Sequence, residues 1–251
     1  MFIKFIESLA YSGSIAALLA SSITIFTMIF LDTGINYILL VLIFSGTFTV
    51  YNIDHLRDLD KDNQTNPKRV KFIKDNKTLI LILTTISFMI SCSVIFLTGF
   101  EILYFLILPF LLGILHRRLK WVPLTAAFYI TLSWLTVTVL LPAYSVNKVP
   151  HVILLSSILG IILFFNAYSS SLRYKFYAMK YVRYMLYLSL GVILVVLGLR
   201  GKYLGIIPLA FFTTMALTNF MEDEDYEDIF FDGLQLSGAI LSILFLILIM
   251  L

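Results

Sequence analysis

Apolar runs of about twenty residues recur from one end of this chain to the other, and an α-helix needs a run of that length to cross a hydrocarbon core about 30 Å thick. They fall near 9–30, 36–56, 78–99, 102–116, 121–144, 151–172, 182–199, 203–220 and 233–251. Hydrocarbon offers backbone N–H and C=O groups no partner, so the spans must be helices. Polar punctuation separates them at Asp32-Thr33-Gly34, Gly99-Phe100-Glu101 and Arg200-Gly201-Lys202. Charge is correspondingly scarce: 13% of the 251 residues are charged, against roughly 25% in a soluble domain. The expectation is an all-α membrane protein, one integral membrane domain over residues 1–251 built as a bundle of about nine transmembrane helices. The first run is too long, and Glu7 sits too early, for a cleaved signal peptide. The single cysteine, Cys92, offers neither an intrachain disulfide nor a metal-ligand spacing. It is expected to be a small buried hydrophobe.

Orientation follows from the basic residues. One side collects Lys4, Arg57, Lys61, Lys68, Arg69, Lys71, Lys74, Lys77, Arg117, Arg118, Lys120, Arg173, Lys175, Lys180 and Arg183. The other keeps Lys148, Arg200 and Lys202. Fifteen of the 18 basic residues on one side predict that this side, with the amino terminus, is cytoplasmic. The expected location is the cell membrane of a prokaryote, crossed many times.

Eleven of the 15 acidic residues lie in two clusters, both expected at the cytoplasmic mouth. The first runs off the second span, with Asn52, Asp54, Asp58, Asp60 and Asp62. The second runs off the eighth, from Glu222 through Asp223, Glu227 and Asp228 to Asp232. Acids this close repel one another unless cations share the site, and hard oxygen ligands suit Mg²⁺ when a phosphate completes the shell. The simpler alternative is that both clusters are solvated helix ends. In the first cluster Asp54, Asp58 and Asp62 recur every four residues and would line one helical stripe. Asn66-Pro67-Lys68-Arg69 follows, a turn with two cations. Acid for a metal with base for a phosphate is the pairing that diphosphate chemistry needs.

Here the chain resembles the UbiA superfamily of intramembrane prenyltransferases. Asn52, Asp60 and the Asn66-Pro67-Lys68-Arg69 turn match in order the family's Asn/Asp-rich motif at the end of helix two. Leu115-His116-Arg117-Arg118-Leu119-Lys120-Trp121-Val122-Pro123 looks like its second basic segment, between helices four and five. The resemblance implies nine helices, an isoprenyl diphosphate held through Mg²⁺, and an aromatic or other lipid-soluble acceptor. It implies catalytic roles for Asn52, Asp54, Asp58, Asp60 and Asp62. Arg69, Arg117 and Lys120 would contact substrate phosphate, and Asp58, Asp60 and Asp62 would hold metal.

The chain departs from the family in two places. Leu56 stands where its central aspartate falls, and residues 165–177, where a second aspartate motif belongs, contain no acid. Asn166, Arg173 and Lys175 are there instead. Arg173 and Lys175 could contact phosphate directly. Alternatively Asp223, Glu227 and Asp228, in the repeat Asn219-x-x-x-Asp223-x-x-x-Glu227, could hold a second metal. The competing reading is a catalytically degenerate homologue that binds lipid or scaffolds other membrane proteins. A transporter ranks third, because few charges lie within the spans, and no nucleic-acid partner is expected. His55 and His116 read most simply as surface residues and His151 as structural. Tyr168, Tyr174, Tyr177, Tyr181 and Tyr184 read as an interfacial aromatic belt. Pro109, Pro142 and Pro208 are expected to kink helices.

Overall fold

A computed structural model describes residues 8–59, 67–119, 123–172, 201–213 and 228–251, and every regular element among them is helical. The helices are α1 (Ser14–Phe30), α2 (Tyr37–Arg57), α3 (Pro67–Asp75), α4 (Lys77–Thr98), α5 (Leu103–Leu119), α6 (Pro123–Leu135), α7 (Leu141–Ser145), α8 (Ile153–Leu172) and α9 (Asp228–Met250). Among the described residues four stretches are long and apolar enough to cross a membrane: Tyr37–Arg57, Lys77–Thr98, Leu124–Ser145 and Gly233–Met250. At about 1.5 Å per residue, the 22 residues of α4 reach about 33 Å, the thickness of a hydrocarbon core.

The breaks between helices have local causes. Asn36 caps α2 by accepting from the Leu39 N–H at 3.1 Å, which satisfies one orphan donor of the first turn. Asp32, Gly99 and Gly201 take positive φ of 52°, 101° and 70°, so each separator turns the chain where it is expected to. One break has no counterpart in the hydropathy pattern. A helical turn over residues 8–11 stops at Ser12-Gly13, with Gly13 at φ 70°. A Cβ there would also sit 3.0 Å from the Tyr51 Cβ, so glycine both makes the turn and lets it press against α2.

Between α6 and α7 the helix widens into a π-turn over Thr136–Leu140. Pro142 follows at once, and its ring has no N–H and crowds the carbonyl four residues back. Widening the turn relieves that crowding. The expected distortion at Pro142 therefore takes this form, and α6 and α7 still read as one span.

α1 is the hub. Leu19, Ile23, Phe26 and Phe30 face one core cluster, with Leu155 and Leu159 of α8, Ile206, and Leu246 of α9. Ala20 and Met28 face a second, with Leu39, Leu42 and Ile43 of α2 and Val94 of α4. α4 is built the other way. Its buried stripe is Ile80, Thr84, Ser91 and Val94, while Leu81, Ile82, Phe88, Met89, Phe96 and Leu97 are exposed. Ser91 shares a 2.7 Å hydrogen bond with Ser45 of α2. Two hydroxyls, Thr84 and Ser91, face inward, and the exposed ones, such as Thr85 and Ser93, bond the carbonyl four residues back, so the outward face presents chiefly large apolar groups, as a helix facing lipid would. Cys92 is exposed on this outer face, which corrects the expected burial. On a helix long and apolar enough to cross a membrane, lipid would provide an apolar environment as readily as the core.

α9 meets the segment Gly201–Thr213 through small residues. A Cβ on Gly238 would lie 2.8 Å from the Phe212 Cβ, and one on Gly205 would lie 3.0 Å from the Leu246 Cβ. The chain passes from a 3-10 helix, Gly201–Ile206, into α-helix around Pro208. The Leu209 N–H there finds its acceptor in Ser242 Oγ on α9, at 2.9 Å. Close backbone approach supplies the dispersion contacts that lipid cannot, since lipid is as apolar as the helices.

Candidate functional site

The end of the bundle where α2 stops is assembled from three pieces of chain. The first is the 8–13 turn, the second the last turn of α2, and the third α3. Asn52 is 1% exposed. Its Nδ2 donates to the Ser12 carbonyl at 2.8 Å and to the Phe48 carbonyl at 2.9 Å. Two carbonyl acceptors fix the amide orientation, since the flipped amide would set oxygen against oxygen. Oδ1 is then left buried, with no hydrogen-bond partner among the described residues. A buried acceptor without a partner costs about 1–3 kcal/mol, so this atom is one a ligand, ion or water would stabilise.

One turn further on, His55 is half-buried rather than fully on the surface. Its ring hydrogen-bonds the Tyr11 backbone, and Arg69 and Asp58 both lie close enough to act on it electrostatically. The Tyr51 ring meets it edge-on at 6.2 Å. His55 Nδ1 is buried and, like Asn52 Oδ1, has no partner among the described residues. The sequence pointed weakly to this residue. A histidine between Asp54 and Asp58 at a helix end reads as solvated until α3 is known to fold over it.

α3 does that by its amphipathic pattern. Val70 and Ile73 are 1% exposed, and Phe72 packs on Tyr11 with ring centroids 5.7 Å apart. Anchoring these three carries Arg69 to the α2 end. The expected Asp54–Asp58–Asp62 stripe does not continue as one helix. α2 ends at Arg57, and Asp58 is its C-cap at φ −103°, ψ 14°. Asp58 is consequently 5% exposed, whereas Asp54 stays half-exposed. Asp54 accepts from Arg57 Nη2 at 2.6 Å, and Arg57 Nε reaches Asp58 at 3.8 Å.

The structure thus brings Asp58 and Arg69 together around His55, with Asp54 at the rim and Asn52 one turn back from His55 along α2, held by the Ser12 and Phe48 carbonyls. Arg117 lies on the last turn of α5, and Asp228 is the first residue of α9. Asp60, Asp62, Lys120, Arg173, Lys175, Asp223 and Glu227 lie outside the described residues. Among the described residues no group of three or more His, Cys, Asp or Glu could hold a metal ion. Asn52 Oδ1 and Asp58 are hard oxygen donors of the kind Mg²⁺ takes; Asp60 and Asp62, expected to share a metal with Asp58, are among the residues not described. Arg69 supplies a planar cation suited to phosphate oxygens. No family model matches the chain, and no curated protein or solved structure matches it either.

Proposed function

We propose that this chain is a UbiA-like intramembrane prenyltransferase that moves an isoprenyl group from a prenyl diphosphate to an aromatic or other lipid-soluble acceptor. The observation that carries this reading is the fold-back of α3, which brings Arg69 within electrostatic range of His55, as Asp58 is, at the end of α2. A cation and a carboxylate thus share one bundle end with a buried acceptor atom on the same helix, Asn52 Oδ1, which has no partner among the described residues.

In this reading the membrane is crossed about nine times with the amino terminus inside, and the α2–α3 end is the cytoplasmic mouth. Asp58, Asp60 and Asp62 would hold Mg²⁺, which neutralises charge on the departing diphosphate. Arg69, Arg117 and Lys120 take phosphate oxygens, while Asn52 and Asp54 complete the polar wall. The allylic C–O bond breaks with its electron pair going to diphosphate. The acceptor's π electrons then close on the cation, and the acceptor loses a proton. The chain's part is to stabilise the leaving group and to keep water from the cation.

Two routes supply the remaining charge. In one, Arg173 and Lys175 contact the diphosphate directly; in the other, Asp223, Glu227 and Asp228 hold a second metal.

 Activity that collapses in Arg173→Ala and survives Asp223→Asn marks the first route, and the reverse pattern marks the second.

A second reading has its own observation. Asn52 already spends its amide on the Ser12 and Phe48 carbonyls, and Leu56 stands where the family has an acid, as in a degenerate homologue that binds lipid or scaffolds. Diphosphate release by the purified chain separates the two. With Mg²⁺ and an aromatic acceptor, wild type should release diphosphate from prenyl diphosphates, and Arg69→Ala and Asp58→Asn should lose most of that release. A chain that binds the lipid diphosphate but never cleaves it, with every acceptor tried, is a binding homologue.

A further inference from the structure

We propose that the outer face of α3 and the start of α4 form a docking surface for anionic phospholipid headgroups. This rests on the reading of the chain as membrane-spanning, but not on its being an enzyme. α3 spends one face on the protein, through Val70 and Ile73. The face it leaves outward carries Lys71 and Lys74, both exposed, and Lys77 at the first position of α4 is exposed as well.

The place of these lysines selects the partner. α4 continues directly from Lys77 into exposed Leu79 and Ile82, so within about two helical turns, roughly 11 Å, the surface passes from cationic to fully apolar. That is the depth profile of a headgroup layer over hydrocarbon. A soluble polyanion would need the cations without the apolar continuation. Long lysine stems also suit the position, because they lie along apolar surface while the ammonium reaches the phosphate layer. Asp75 is the one described acid on the exposed part of this stretch, leaving a net positive strip of three lysines against one carboxylate. Each lysine close to an anionic leaflet strengthens attraction by about 1 kcal/mol, about five-fold per charge.

The test uses the full chain in nanodiscs made from phosphatidylcholine with a minority of phosphatidylglycerol, followed by native mass spectrometry of the lipids that stay bound. Wild type should retain phosphatidylglycerol well above its share of the bilayer. Lys71→Gln/Lys74→Gln/Lys77→Gln should reduce that enrichment five-fold or more, and Lys71→Arg/Lys74→Arg/Lys77→Arg should keep it. Thermal unfolding of each variant in phosphatidylcholine alone checks that the fold is intact. Inorganic phosphate added to the nanodiscs should displace little of the bound lipid, since it lacks the acyl chain. Enrichment that is unchanged in the folded Gln variant overturns the proposal, as does complete displacement by phosphate, which would assign the strip to soluble anions. Loss of diphosphate release with normal lipid enrichment would strike the enzymatic reading alone.

Discussion

The two ends of the bundle treat their polar groups differently. At the end where α1 turns into α2, long-range contacts tie the loops together. Lys148 Nζ donates to the Leu31 carbonyl at 2.6 Å, and Lys202 pairs with Asp32 at 2.6 Å while lying 5.2 Å above the Phe30 ring centroid. Tyr144 donates to Glu101 at 3.3 Å. At the α2–α3 end, burial runs ahead of bonding: Asn52 Oδ1 and His55 Nδ1 are enclosed without partners among the described residues. Thr131 and Ser156 also carry such atoms, but a hydroxyl inside a helix can rotate toward the carbonyl four residues back. A fixed amide oxygen and a ring nitrogen cannot. One end is built to hold the fold, and the other keeps polar capacity in reserve next to a cation and a carboxylate.

Substitutions at the two ends should therefore differ in size and in kind. Asn52→Asp should do the most damage, because it sets a carboxylate oxygen against the Ser12 and Phe48 carbonyls in a buried site. A loss of about 3 kcal/mol or more is expected, read as a fall in thermal midpoint in detergent. A loss below about 1 kcal/mol would mean that the 8–13 turn is not held by this residue. Lys148→Met is next, since it removes a charged donor from the Leu31 carbonyl and should cost about 1.5 kcal/mol. The smallest effect belongs to Asp32→Asn. Its ion pair with Lys202 is exposed on both sides, and exposed pairs contribute at most about 1 kcal/mol, less in high salt. A larger loss there would show that the closed end depends on electrostatics more than on packing.

Much of the helix layout was legible, because a lipid-crossing helix needs apolar length and its ends need turn residues. Asp32, Gly99 and Gly201 mark breaks by composition, and all three adopt positive φ. Faces were less legible. Between helices in lipid, burial and exposure are both apolar, so periodicity does not say which side of α4 meets α2, nor that Cys92 is exposed and not buried. The Ser12-Gly13 break was hidden because small residues inside an apolar run do not lower its hydropathy enough to show. At the site, the acids and Arg69 were visible as residue types. Their convergence was not, because it depends on Val70, Phe72 and Ile73 folding α3 back, a local amphipathic signal easily taken for a charged loop. That same fold-back is what leaves His55 half-buried, with its Nδ1 enclosed.

The difference between the ends is tested most directly by equilibrium binding of a radiolabelled prenyl diphosphate, with Mg²⁺, to the purified chain and to two single variants. Arg69→Ala alters the end with polar capacity to spare, and Lys202→Gln alters the closed end. Binding should weaken about ten-fold or more in Arg69→Ala, the scale of one lost charged contact, and stay within two-fold of wild type in Lys202→Gln. Equal binding by wild type and Arg69→Ala, both folded, would contradict the assignment of the α2–α3 end as the ligand site.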